Sequence, residues 1–220
     1  MKKSTLIIFL LSVITLITNG QLRKDVLYFP DAGEYKVLKG DFHQHTVFSD
    51  GLVWPITRVE EAYEEDIDVI CLTEHMEYRP HLNEFTSKDH NHSTDLAKNA
   101  AERYNIILMR STEITRAMAP GHLNAIDIKD ANEFGKFVNP ANSKDASSIV
   151  ETLTAAKNQG GFIFWNHTAF PTKDNKSTWH PEHEELRNKG LMMGIEIVNG
   201  ERYEPIAFQW CIDYNMTILV

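Results

Sequence analysis

The sequence predicts an α/β fold of parallel strands joined by crossover helices, closed or distorted into a β/α barrel. Three observations carry this. Short apolar runs of strand length alternate with segments of helical periodicity. About six or seven such units follow one another, which suits a barrel of this kind. Metal-ligand residue types recur just after the apolar runs, where barrels place their chemistry. A doubly wound open sheet is the alternative topology. No internal repeat or low-complexity block interrupts the pattern.

The 220 residues make one large domain or two small ones. Hydrophobic residues at 42% and charged residues at 24% exclude disorder, collagen and coiled coil. The net charge of -9, with no long Lys/Arg run, excludes nonspecific nucleic-acid binding, which needs cations for phosphates. Two cysteines cannot build a disulfide framework or a Cys-rich zinc site. Ten histidines are the first sign of metal chemistry.

The N-terminus reads as an address. Lys2 and Lys3 precede an apolar stretch from Leu6 to Ile17, and Thr18-Asn19-Gly20 offers a cleavage point. That is the layout of a secretory signal peptide over residues 1–20, ahead of a folded domain over 21–220. The stretch is short for a transmembrane span of about 20 residues, so no stable membrane span is expected after its removal. The expected location is periplasmic or secreted, in a bacterium.

Next comes a strand over Tyr35 to Phe42 and a turn at Ser49-Asp50-Gly51. Pro55 opens a helix, because its missing N–H costs nothing at the first helical position. Ile67 to Thr73 is a buried strand, Asp95 to Tyr104 a helix and Ile106 to Ser111 a strand. Leu123 to Ile128 is a strand and Lys129 to Asp145 a polar loop. Ser147 to Asn158 is a helix stopped by Gly160-Gly161. Phe162 to Asn166 and Ile195 to Asn199 are strands, with a loop and a short charged helix between them. Glu204 to Tyr214 is a helix and Met216 to Val220 a last strand.

His43 and His45 are two apart, so a strand-like backbone puts both on one face. Two imidazoles there can share a metal. Glu74-His75 ends the Ile67–Thr73 run, Glu113 ends the next, and Asn166-His167 ends the Phe162 run. His122 stands before its strand rather than after it, which leaves its placement less clear.

These residues resemble a known family. Asp41-Phe42-His43-Gln44-His45-Thr46, with Ser49-Asp50-Gly51, looks like the first motif of the polymerase and histidinol phosphatase (PHP) superfamily. Thr73-Glu74-His75, Glu113, Gly121-His122-Leu123-Asn124 and Asn166-His167 resemble its following motifs. The resemblance spans residues 37 to 220. It implies a distorted (β/α)7-type barrel and two or three divalent metal ions, Zn, Mn or Fe. By the resemblance, His43 and His45 hold a first metal, Glu113 bridges it to a second held by His122 and His167, and Asp50 and His75 hold a third. Glu113 and His75 would also serve catalysis. The implied activity is phosphoester hydrolysis by a metal-bound hydroxide on a small phosphorylated substrate.

Thr168 follows Asn166-His167 where the family often has Pro. The family's terminal Asp-x-His does not follow Thr217 to Val220, so the chain is expected to be truncated at its last strand. Arg116, three residues after Glu113, is a candidate for holding a substrate phosphate through its guanidinium fork. An amidohydrolase-type metal hydrolase and a non-catalytic metal-binding accessory module are the alternatives. His180, Glu182, His183 and Glu184 read as a solvated helix, His81, His90 and His92 as solvent-facing, and Cys71 as core packing. Trp165 and Tyr203 line either the pocket or the core.

Overall fold

A computed structural model describes residues 28–84, 86–134, 149–170 and 176–220. The expected signal peptide and most of the polar loop after Phe134 lie outside them. In chain order the elements are β1 (Gly40–Gln44), α1 (Pro55–Glu64), β2 (Val69–Leu72), α2 (His92–Tyr104), β3 (Ile107–Met109), β4 (Ser111–Ile114) and β5 (Leu123–Ile126). A 3-10 turn (Ala131–Phe134), α3 (Ile149–Asn158), β6 (Phe162–Trp165), α4 (Pro181–Asn188) and β7 (Gly194–Glu196) follow. The chain ends in β8 (Val198–Asn199), β9 (Arg202–Tyr203), α5 (Pro205–Tyr214) and β10 (Thr217–Leu219).

The strands form a parallel sheet β1-β2-β3, a sheet β10-β7-β6-β5-β4 and a small hairpin β8-β9. The single strand expected over Ile106 to Ser111 is two strands, because the chain changes sheets at Arg110. The sheets meet where the continuation of β2 runs beside β4. There the Glu113 N–H donates to Glu74 O and the Met76 N–H to Glu113 O, each at 3.0 Å. Among the described residues β1 and β10 do not pair, so the strands form no closed ring. The fold is mixed α/β rather than a regular barrel.

The expectation of parallel strands throughout also needs correction. β5 is antiparallel to both β4 and β6. No helix separates β4 from β5, and a connection that short can only return the chain antiparallel.

Helices cover the outer faces. Val59 and Ala62 of α1 meet Ala97, Ala100 and Ala101 of α2 over Ile70 and Leu72. Leu153, Leu186, Ala207 and Cys211 of the later helices cover Ile163, Trp165 and Ile195. Each fully buried Leu or Ile contributes roughly 1.5–3 kcal/mol. Between the sheets, Cys71, Ile126 and Phe164 fill one end. The other end is polar.

Candidate metal centre

That polar end is where the parallel strands finish. His43 is next to last in β1, His75 follows β2, Glu113 sits in β4 and His167 follows β6. His122 precedes β5, but β5 runs the opposite way, so its start lies at the same rim. The reversed strand explains a placement that looked anomalous in the sequence.

The loop after β1 is folded tightly to deliver His45 and Asp50. The Ser49 and Gly51 N–H groups both donate to Thr46 O, at 3.0 and 2.9 Å. A Cβ on Gly51 would stand 2.4 Å from the His45 backbone, so only glycine permits that approach. Glu74 is buried and accepts from Thr46 Oγ1 at 2.5 Å and Ser49 Oγ at 2.6 Å. Its carboxylate braces this loop rather than facing the cavity.

Glu113 is wholly buried and takes imidazoles on both oxygens. Its Oε2 faces His43 Nε2 at 3.0 Å and His45 Nε2 at 3.2 Å. Its Oε1 faces His122 Nδ1 at 2.6 Å, His75 Nδ1 at 3.6 Å and His167 Nε2 at 3.7 Å. Asp50 lies 3.4 Å from His75 and 3.6 Å from His45. Three groups have donor atoms all within 4.8 Å of one another: His43, Glu113 and His167; His45, Asp50 and His75; His75, Glu113 and His122. His45 therefore also falls with Asp50 and His75, a grouping the resemblance did not imply.

The electrostatics follow from the packing. Burial would raise the Glu113 carboxyl, but His122, His167, His43 and His45 hold it well below the usual range. Burial would lower His43, but its bonds to Glu113 and Glu196 push it up to about 10. Burial lowers His122. His75 holds Asp50 below the usual carboxylate range.

These residues fit divalent ions. Glu113 Oε1, His122 Nδ1 and His167 Nδ1 are buried without a hydrogen-bond partner. Native interiors rarely leave such atoms unsatisfied. Glu113 Oε1 and His122 Nδ1 are close, yet not in hydrogen-bond geometry. Mixed imidazole and carboxylate donors suit zinc, iron or manganese.

A cavity of about 510 Å3 opens over the cluster. His43, His45, Asp50, His75, His122 and His167 line its floor, and Phe170, Asn199, Arg202 and Glu204 its wall. Arg202 carries the only guanidinium among the described lining residues and is ion-paired with Glu204. Ser177 Oγ in turn donates to Glu204 at 2.8 Å.

Arg116 is not brought to the cavity. It is 2% exposed and ion-paired with Glu77. Its odd offset from Glu113 along an extended chain turns it to the other face. The helix of His180 and His183 also departs from expectation. His183 is 1% exposed, stacks on Trp165 at 3.8 Å and donates from Nε2 to Pro120 O at 2.9 Å. Trp165 thus belongs to the core, while Tyr203 is exposed on β9. His81, His90 and His92 are partly buried rather than solvent-facing, and His92 packs edge-on against Phe48.

Glu196 is the site residue that sequence reasoning missed. It ends β7 and lines the cavity, with an oxygen 2.7 Å from His43 Nδ1. In sequence it stands second in an apolar run that continues through Ile197 and Val198, so the strand-end pattern that singled out Glu113 does not reach it; only the early end of β7 at Glu196 reveals it.

No protein-family model and no curated protein matches the chain. Solved structures do. A two-domain protein from Bacteroides vulgatus, described as containing a predicted PHP-like metal-dependent phosphoesterase, is 47% identical with a TM-score of 0.79. The match covers 89% of this chain and 54% of that one, so the chain spans about half the neighbour's length. A Bifidobacterium adolescentis protein, named as a candidate metal-dependent phosphoesterase, is 16% identical with a TM-score of 0.60, over 83% of this chain and 86% of that one. An amidohydrolase from Chromobacterium violaceum with bound sulfate is 13% identical with a TM-score of 0.54, over 82% and 85%. These last two show the fold alone. Over 89% of its length this chain is thus similar to a protein described as containing a predicted PHP-like metal-dependent phosphoesterase, and its ligand motifs converge at one rim.

Proposed function

We propose that this protein is an exported metal-dependent phosphoesterase acting on a small phosphomonoester or phosphodiester. The observation that supports it is the convergence of five imidazoles on the buried Glu113 carboxylate. His43, His45 and Glu113 would hold one ion, His122, His167 and Glu113 a second, and Asp50 with His75 a third. Bound ions would supply Lewis acidity toward a phosphoryl oxygen and an activated water.

The chain's own residues set the rest. Glu113 offers one oxygen to each side of the cluster, so it would serve the ligand groups on both sides. The half-exposed Phe170 ring packs against His122 and His167 at 5.0 and 5.6 Å and covers part of their faces at the cavity wall. Arg202, also on the wall, would offer a cation to an anionic substrate. No described lining residue is a Lys, which an amidohydrolase would use to bridge its metals. The strands would then form an opened variant of the (β/α)7 barrel.

The test is hydrolysis of an aryl phosphate monoester and diester by purified protein with added Mn²⁺ or Zn²⁺, beside elemental analysis. Hydrolysis that needs metal and stops with chelator supports the reading. Bound metal with cleavage only of amide or carboxylic ester substrates transfers the assignment to the amidohydrolase class. Bound metal with no hydrolysis transfers it to an accessory module. Export rests on residues 1–20, and N-terminal sequencing of protein from a bacterial host tests it. Among the described residues no helix is long and apolar enough to cross a membrane.

A further inference from the structure

Glu196 makes three contacts with a single carboxylate. Its Oε1 lies 2.7 Å from His43 Nδ1. Its Oε2 accepts the backbone N–H of His167 at 2.6 Å and the Asn199 side-chain amide at 3.2 Å. The register explains the reach. β6 and β7 run parallel with Trp165 opposite Ile195, so Glu196 ends its strand beside the turn into His167. Glu196 is 6% exposed, and solvent does not supply these partners.

Each contact has a consequence for a ligand. A carboxylate only accepts, so His43 Nδ1 must carry the proton it shares with Glu196. An ion at Nε2 displaces any proton there, so the ring that binds it is neutral, with its one N–H on Nδ1 and its lone pair on Nε2. That nitrogen is the one aimed at Glu113 Oε2, 3.0 Å away. With that proton displaced, both atoms can bind one cation between them. His167 has φ of 27°, a left-handed conformation unusual for a residue with a side chain. Such a backbone persists only where the surroundings hold it, and the Glu196 bond to its N–H is such a hold.

We propose that Glu196 is a positioning residue that fixes the tautomer of His43 and the backbone of His167 together. It thereby sets one ligand from each side of the cluster. The assignment rests on the metal reading above but not on the phosphoester reading. Carboxylates behind metal-bound histidines orient the ring and raise its basicity, and losing one typically weakens metal binding 10–100-fold.

The experiment uses the full chain and Zn²⁺. Imidazole ¹⁵N NMR of the Zn²⁺-loaded wild type should show His43 protonated at Nδ1 and bound through Nε2. Competitive Zn²⁺ titration of Glu196→Gln should show roughly 10–100-fold weaker binding with the number of ions unchanged. Circular dichroism should show the fold retained. A wild type with the His43 proton on Nε2 overturns the proposal without any variant. So does Glu196→Gln with Zn²⁺ affinity within about twofold of wild type. Loss of one whole ion, with the others bound as before, would make Glu196 a ligand and overturn the positioning role. Wild-type protein that takes up no Zn²⁺ overturns this proposal and the metal reading together. Tight Zn²⁺ binding without phosphoester hydrolysis leaves the role of Glu196 standing and removes only the substrate class.

Discussion

Two histidine clusters in this chain are built for different ends. Around Glu113, imidazoles meet carboxylates, and several buried polar atoms have no hydrogen-bond partner. Around His183, the ring nitrogens meet backbone. Nδ1 accepts from the His180 N–H at 2.9 Å, Nε2 donates to Pro120 O, and the ring faces stack in a cluster with Trp165 and Trp179. One cluster leaves donor atoms unsatisfied that suit a cation. The other is satisfied and holds a loop. Both are rich in His and Glu, so a His count does not identify a metal site. The partners of the ring nitrogens do.

Glu113→Gln should break the first cluster outright. It keeps the size but removes the charge shared by both sides. We expect loss of bound metal and at least about 100-fold lower hydrolysis, equivalent to ~2.7 kcal/mol of lost transition-state stabilisation. Elemental analysis and initial rates check this. His183→Gln should leave the metal count unchanged, and equal metal loss in both variants would erase the distinction drawn here.

Metal should also stabilise only through the first cluster. At 100 times its Kd an ion adds about 2.7 kcal/mol, which for a domain of this size raises Tm by roughly 5–10 °C. Thermal melts with and without Zn²⁺ should show the rise in wild type and in His183→Gln, and not in Glu113→Gln.

The second cluster should carry a pH signature of its own. Burial holds His183 down to about 4, so the folded state disfavours its proton. The unfolded chain binds that proton near pH 6.5. Its contribution is therefore fully present above pH 6.5 and lost as pH falls toward 4, up to about 3 kcal/mol. Denaturant unfolding across that window should show a shallower slope in His183→Gln, whose side chain cannot charge. The same variant should be less stable at pH 7 by about 1–3 kcal/mol for the lost carbonyl bond.

The smallest effect belongs to the wall. Arg202→Ala should raise KM by about 3–10-fold and leave kcat nearly unchanged, the pattern of lost uniform binding. A change confined to kcat would place Arg202 in the chemistry instead.

Most of the site was legible because strand ends are legible. His43, His75, Glu113 and His167 all follow short apolar runs, and the apolar runs mark the strands. His122 was found by motif but not by position, since nothing local says that β5 runs backwards. Glu196 escaped the strand-end rule because the apolar run beginning at Ile195 continues past it, and the strand ends at Glu196 only in the folded sheet. Arg116 failed because proximity in sequence was taken for proximity at the rim, although an odd offset along a strand reverses the face. His183 failed because Leu186, three residues on, shares its helical face and draws both inward. The fold class was legible from periodicity. The sheet switch at Arg110 and the missing β1–β10 pairing were not, because both are set by contacts distant in sequence.

The reversed strand β5 also bears on how the site assembles in time. Glu113 and His122 belong to adjacent antiparallel strands joined by a short connection, so their meeting closes only a small loop. His43 and Glu196 are 153 residues apart in sequence. Long-range contacts must offset a larger loop-closure entropy before they form, and they slow folding accordingly. A nascent chain can therefore bring one carboxylate–imidazole pair together within a single hairpin. The opposite side of the cluster waits until β7 has docked beside β6.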